Sequence, residues 1–273
     1  ENKAPVANIT KQTLTKMFAQ GKRFDGRDLL DHREIEITSP VSNQAEGSVS
    51  VKLGKKEVQI AENLSIGEPY PDSPDKGNLM VTSDLIPLAS PRFESGPPGF
   101  NGIEIGRLVD RGIRESGMVD FSKLCIEEGE KVWTVFVDIF PINDDGNLID
   151  AAALGAVAAL KSATLPGITP EGNPDYKNRT SDPLPISDET LPILFSFFKL
   201  GDSLVLDPTR EEEEASESRM AFGLSKWNGK YMLNSAQKKG KLPVSSQDLL
   251  KISELLPKKY DEILEKLQSF LNK

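Results

Sequence analysis

The 273-residue chain has a single cysteine, a single histidine, no apolar run long enough to cross a membrane as a helix, and fewer basic than acidic side chains. Each shortage excludes something. With one cysteine, Cys125, no disulfide can close within the chain, as suits a reducing cytoplasm; in the run Leu124-Cys125-Ile126 its thiol is expected in a buried strand. One histidine and one cysteine cannot build a Cys/His zinc cluster. A Ser-His-Asp triad would have to use His32, which lies in a polar segment outside any nucleophile motif. The opening ENKAPVANIT is too polar for a signal peptide, so a cytoplasmic location away from the membrane is expected. Lys and Arg number 33 against 42 Asp and Glu, a formal charge of −9. Proteins that coat nucleic acid unaided are usually basic, because phosphate neutralisation supplies most of the affinity. Any RNA contact here must use a local basic patch, shared with a partner.

The length exceeds one average domain and can bury one large core or two smaller ones. Residues 9–20 have the apolar spacing of a short helix ending at Gly21. From residue 35 to 66 the pattern is that of strands, with a hairpin turn at Gly54-Lys55-Lys56. Residues 67–78 (GEPYPDSPDKGN) form a proline-rich loop, residues 79–85 a strand, and SPRFESGPPG a second loop. The helix that follows carries Arg107, Arg111 and Arg114 at i, i+4 and i+7, on one face. Residues 132–140 (VWTVFVDIF) read as a strand buried on both faces, and residues 151–160 (AAALGAVAAL) as a small-residue helix capped by Asp150. Residues 166–190 contain five prolines and read as a linker between domains. Two hairpins follow, about Gly201-Asp202 and about Asn228-Gly229, then an amphipathic helix from Ser246 broken or kinked at Pro257. Strands then helix, twice over, indicate an α+β protein of two layered halves.

In this order and spacing stand Asp25-Gly26-Arg27 with Arg33, Gly47-Ser48 leading into Val51-Lys52-Leu53-Gly54, and Gly67-Glu68-Pro69-Tyr70-Pro71-Asp72. Pro87-Leu88-Ala89, Phe93-Glu94 with Gly96-Pro97-Pro98, Ile103-Glu104 through Val109-Asp110-Arg111, and Gly146-Asn147-Leu148 with Asp150-Ala151 continue the series. Together they make residues 20–265 resemble the RNase PH family, in particular the non-catalytic RNase PH-like subunit of archaeal RNA exosomes. The resemblance implies two βαβ-type halves with mixed sheets packed by helices, a first domain over 1–185 with the N-terminal helix and a second over 186–273. It implies an alternating hexameric ring with a catalytic RNase PH-like subunit, RNA-binding cap proteins and single-stranded RNA as partners, and no cofactor.

Three departures from the family's active members decide the expected activity. Where they carry an arginine pair before the helix, this chain has Phe100-Asn101-Gly102. Where they carry a Gly-Gly-Ser/Thr turn that holds the attacking phosphate, it reads Asp145-Gly146-Asn147-Leu148, and the Asp145 carboxylate is expected to repel phosphate. Where they place two aspartates six residues apart, Asp207 matches the second but Gly201 falls at the first, with Asp202 one residue out of register. Phosphoryl transfer depends on positioned cations and donors, so a non-catalytic subunit is expected; the alternative is a phosphate-dependent 3′→5′ exoribonuclease in its own right.

What remains is the arginine face. Without the resemblance, such a triplet reads as a solvated helix face paired with Asp110 and Glu115. The resemblance associates Arg107 and Arg111 with RNA near the partner's active site, and Arg114 stands one turn further along. Arginine suits that task because its planar fork binds phosphate bidentately. Asp138, Asp144 and Asp145 read as a turn and strand end in preference to a metal cluster. Glu211 to Glu214 begin a helix, where carboxylates complement the dipole, and Lys238, Lys239 and Lys241 form a solvated turn.

Overall fold

The computed structural model describes residues 7–272; residues 1–6 of the polar opening lie outside them. In chain order the elements are α1 (Asn8–Ala19), β1 (Ile35–Thr38), β2 (Gly47–Leu53), β3 (Lys56–Gly67), β4 (Asn78–Ser83), α2 (Phe100–Ser116), β5 (Cys125–Glu127), β6 (Lys131–Asn143) and α3 (Leu148–Ser162). Then come β7 (Thr164–Ile168), β8 (Pro174–Pro183), β9 (Ile193–Leu200), β10 (Ser203–Leu206), α4 (Arg210–Ala215), β11 (Ser218–Trp227), β12 (Lys230–Gly240) and α5 (Ser246–Leu271). The first sheet runs β1-β2-β3-β6-β4, with β5 beside β6. It is mixed, because β4 runs parallel to β6 while the other pairs are antiparallel. The second, β10-β9-β11-β12, is antiparallel throughout, so the α+β fold carries its parallel crossover in the first half alone.

The core lies between the sheets, and α3 is its centre. Every residue from Leu148 to Leu160 in this helix is buried, with β2 and β3 on one side and β9 on the other. The small-residue run explains the approach. A Cβ on Gly155 would stand 2.1 Å from Ile60 Cδ1, so helix and sheet are closer than any side chain there permits. α2 packs along β4 and α3, and α5 reaches α3, β1 of the first sheet and β9 and β11 of the second, adding Ile252, Leu256 and Tyr260 to the same core.

The folded chain departs from these expectations at five places. Residues 166–190 are not a bare linker: β7 and β8 pair into an antiparallel hairpin, with Pro166 at a register shift and Pro174 and Pro183 at the ends of β8. Asp150 is not the cap of α3; Asn147 precedes the helix in the left-handed region, and Asp150 points inward to accept from Ser196 N at 3.0 Å and Oγ at 2.7 Å. Pro257 lies inside an uninterrupted helix whose start is secured by a Ser245–Asp248 capping box. Lys238 and Lys239 belong to strand β12, and Cys125 is half-buried in β5. The two hairpins of the second half form as read, with Asn228 and Gly229 both at positive φ.

One buried group invites a stability test. Glu62 sits on the core face of β3 with neither carboxyl oxygen hydrogen-bonded among the described residues. Burial, reinforced by the neighbouring Glu46 charge, pushes its pKa well above the usual carboxylate range. Its best contribution to stability therefore comes in acid, and it is lost as pH rises through the raised value. Glu62→Gln has no charge to bury. Its stability advantage over the parent chain should grow from pH 5 to pH 8 in denaturant unfolding; a constant difference would show that the Glu62 carboxyl ionises in the fold as it does in the unfolded chain.

Candidate functional site

The turn that would hold phosphate joins β6 to α3. Gly146 has φ 79°, and a Cβ there would meet the Thr209 carbonyl carbon and the Arg210 nitrogen at 2.5 and 2.6 Å. The turn is thus pressed against the start of α4, which delivers an acidic side chain to it. The Asn147 N–H donates to Glu213 Oε2 at 2.6 Å. Free N–H groups at a helix start attract anions, and here the chain supplies the anion itself. Leu148, at or beside the position where a hydroxyl was expected, is buried. The Asp145 carboxylate, expected to repel phosphate, instead pairs with Arg33 Nη1 at 3.1 Å.

A cavity of about 140 Å³ opens beside this turn, lined among others by Asn101, Glu104, Leu148, Glu213, Arg219 and Lys239. Its cations are engaged by carboxylates. Arg219 and Lys239 meet Glu104 at 2.9 and 2.8 Å, and Arg92 at its edge meets Asp144 at 2.7 Å and Glu214 at 2.8 Å. Burial pushes the Glu104 carboxyl up, but Lys239 and Arg219 outweigh it and hold it below the ordinary value. Phe100, at the position of the missing arginine pair, carries the Lys239 ammonium 4.8 Å over its ring. A phosphate entering here would have to displace carboxylates from every one of these cations.

Asp207 is the second surprise. It matches a catalytic aspartate in sequence, yet it is completely buried and serves as the hub of an ion network. Its carboxylate accepts from Arg33 N and Nε at 2.9 Å, Arg33 Nη2 at 2.8 Å, Asn147 Nδ2 at 3.1 Å and Lys56 Nζ at 3.3 Å. Arg27 reaches it at 3.4 Å, and Arg23 donates to its carbonyl at 2.9 Å while pairing with buried Glu212. Burial opposes ionisation of Asp207, but Lys56 and Arg33 prevail and hold it well below the usual range. The Asp25-Gly26-Arg27 motif and Arg33 thereby acquire a structural meaning: they clamp the two halves through Asp207. Asp202 stands exposed at the tip of the β9–β10 turn, where Gly201 has φ 57°, and does not join this cluster. Asp138 accepts from Thr82 at 2.7 Å, and no His, Cys, Asp and Glu grouping suited to a metal occurs among the described residues.

The arginine face divides in two. Arg107 and Arg111 are exposed, make no hydrogen bond or ion pair among the described residues, and line one groove of about 590 Å³ with Tyr70, Met80, Thr82 and Gln237. Arg114 is committed elsewhere. It pairs with Asp110 at 2.8 Å, donates to the Leu79 carbonyl at 3.1 Å and lies 5.8 Å over the Phe121 ring. Sequence spacing placed all three on one face; two of them have no partner among the described residues, and the third is paired. Glu213, Arg92 and Arg219 carried no sign of these contacts in the local sequence, because each contact spans more than fifty residues of chain.

Known proteins show the same assembly of parts. The two domain models of the 3′ exoribonuclease family match residues 31–166 (domain 1) and 190–255 (domain 2). The exosome complex component Rrp42 of Methanothermobacter thermautotrophicus is 40% identical over 263 residues, covering 96% of this chain and 95% of that protein. The Rrp42 component of Archaeoglobus fulgidus is 44% identical over 221 residues, 81% of this chain and 82% of that protein. Among solved structures, an archaeal exosome core superposes with a TM-score of 0.83 at 35% identity, covering 96% of this chain and 97% of the other. A chain of the Archaeoglobus fulgidus exosome with RNA bound to the active site gives 0.78 at 39% identity, covering 94% and 93%. With both domain models matched in order and full-length relatives this similar, the chain belongs to the 3′ exoribonuclease family that includes RNase PH and the Rrp42 exosome components.

Proposed function

We propose that this chain is a non-catalytic subunit of an archaeal-type exosome, alternating with a catalytic RNase PH-like subunit in a hexameric ring. It comprises two RNase PH-like domains, 1–185 and 186–273, and works in the cytoplasm with RNA-binding cap proteins on the ring. Its own task is to hold and guide single-stranded RNA toward the partner's active site during phosphorolytic 3′→5′ degradation, through Arg107 and Arg111. The observation that carries this reading is the Glu213 carboxylate on the Asn147 N–H, beside Leu148. That geometry leaves attacking phosphate neither the donor nor the hydroxyl it requires, and transition-state stabilisation of this kind is worth orders of magnitude in rate. The solved relatives are exosome assemblies, one of them with RNA at its active site, which supports placing this chain in such a complex. Strand β12 suits a partnered surface: it is one edge of its sheet and exposes Met232 and Leu233.

The decisive assay uses the purified chain alone, with RNA and inorganic phosphate. No nucleoside diphosphate should be released above the uncatalysed background. Release by a preparation shown free of any second RNase PH-like chain would overturn the reading.

A further inference from the structure

We propose that Tyr70 is a stacking platform for a base of the strand whose phosphates Arg107 and Arg111 hold, an inference that rests on the RNA-guiding reading above. Tyr70 lies in the loop between β3 and β4 and lines the same groove as the two free arginines, its side chain 49% exposed. Met80, 44% exposed, stands in the same groove from β4, and Gln237 reaches it from β12. Scattered exposed aromatics are ordinary on a protein surface. An aromatic ring beside two uncommitted guanidinium groups in one groove is a different arrangement. It matches how single strands are bound without regard to sequence, by cations along the backbone and π-faces under the bases.

The loop holds the ring in readiness. Pro69 and Pro71 flank Tyr70, one fixing the chain before it and the other restricting Tyr70 itself to extended conformations. The turn is closed by Ser73 N donating to the Tyr70 carbonyl at 3.0 Å, and the loop is anchored by Asn78 Nδ2 to the Glu68 carbonyl at 3.0 Å and Gly129 N to the Pro74 carbonyl at 2.9 Å. A side chain with two torsions on a pinned loop loses little entropy when a base settles on it. A base must be unstacked from its neighbours to use such a platform, which selects single strands over duplex.

The test compares the complex reconstituted from this chain and its catalytic partner with variants carrying Tyr70→Ala, Tyr70→Phe, or Arg107→Glu with Arg111→Glu. Each is titrated with a single-stranded RNA and with an abasic sugar-phosphate strand of equal length, at several salt concentrations. Tyr70→Ala should weaken RNA binding about tenfold, leave the salt slope unchanged and leave the abasic strand unaffected. Tyr70→Phe, which keeps the ring, should bind RNA within about twofold of the parent. Unchanged RNA binding by Tyr70→Ala, while the arginine variant binds poorly, would overturn the platform alone. Equal losses for RNA and the abasic strand would also overturn it, since no base would be involved. If Tyr70→Ala dissociates the complex, the residue belongs to a protein contact and the proposal falls. If the arginine variant binds RNA as well as the parent, the guiding role itself fails and this inference with it.

Discussion

Replacing Asp207 by alanine is expected to destabilise the chain by about 3–5 kcal/mol, the cost of leaving buried charges without their partner. Arg33 is nearly buried and Lys56 is wholly so; both point at this carboxylate, and the Asn147 amide joins them. Without Asp207, buried Lys56 keeps only the Asn147 carbonyl and Arg33 keeps Asp145 and main-chain carbonyls, so buried positive charge loses its main counter-charge. Asp207→Asn should lie between, since it keeps a hydrogen-bond acceptor and loses the charge. The pH dependence has a definite sign. A carboxylate held below its usual range stabilises the fold above that range, and the benefit is lost as pH falls through the depressed value. The parent chain should therefore lose stability toward acid more steeply than Asp207→Asn. Asp202→Asn, at the exposed hairpin tip, serves as the control and should change unfolding by less than about 0.5 kcal/mol. Urea unfolding of the three variants between pH 3 and pH 7 decides it. An Asp207→Ala loss no greater than that of the control would show that the network is not holding the halves together.

Reversing Arg107 and Arg111 to glutamate should cost the assembled complex at least about tenfold in RNA affinity and reduce the slope of log affinity against log salt by about two. The two guanidinium groups are one helical turn apart, roughly 6 Å along the axis, and open onto the same groove. Each phosphate neutralised releases a counterion, so removing two contacts must appear in the salt dependence as well as in the affinity. The chain carries a formal charge of −9, so no general positive field can compensate for the loss. Assembly should survive, because neither side chain makes an ion pair or hydrogen bond within the described fold. Arg114→Glu should behave differently. It breaks the pair with Asp110 and the bond to Leu79, so it disturbs the helix packing before it touches any ligand. Binding titrations at several salt concentrations, with size-exclusion of each variant, separate these outcomes. An unchanged affinity and slope for the double variant would reduce the face to a solvated one.

The sequence determined a good deal without help. The small-residue run of α3, the hairpin at Asn228-Gly229 and the arginine spacing of α2 are local patterns, legible along the chain because their causes lie within a few residues. The losses at Phe100, Leu148 and Gly201 were legible for the same reason: each is a residue of the wrong chemistry at a recognisable place in a motif. The pairing of β7 with β8 was not legible, since the prolines mask the local strand signal; in the folded hairpin Pro166 sits at a register shift and Pro174 and Pro183 at the strand ends. Nor could the sequence say what Asp207 does. A lone aspartate after an apolar strand fits a catalytic turn as well as a buried hub; the choice was made by Arg33, Lys56 and Asn147, brought to it from three distant segments. Glu213 shows the same limit. In the sequence it is one acid of four at a helix start, whereas in the fold it alone reaches the Asn147 N–H. Helix, turn and motif are decided by neighbours along the chain. The partner of a buried charge is decided by the close packing of two halves, which no window of sequence contains.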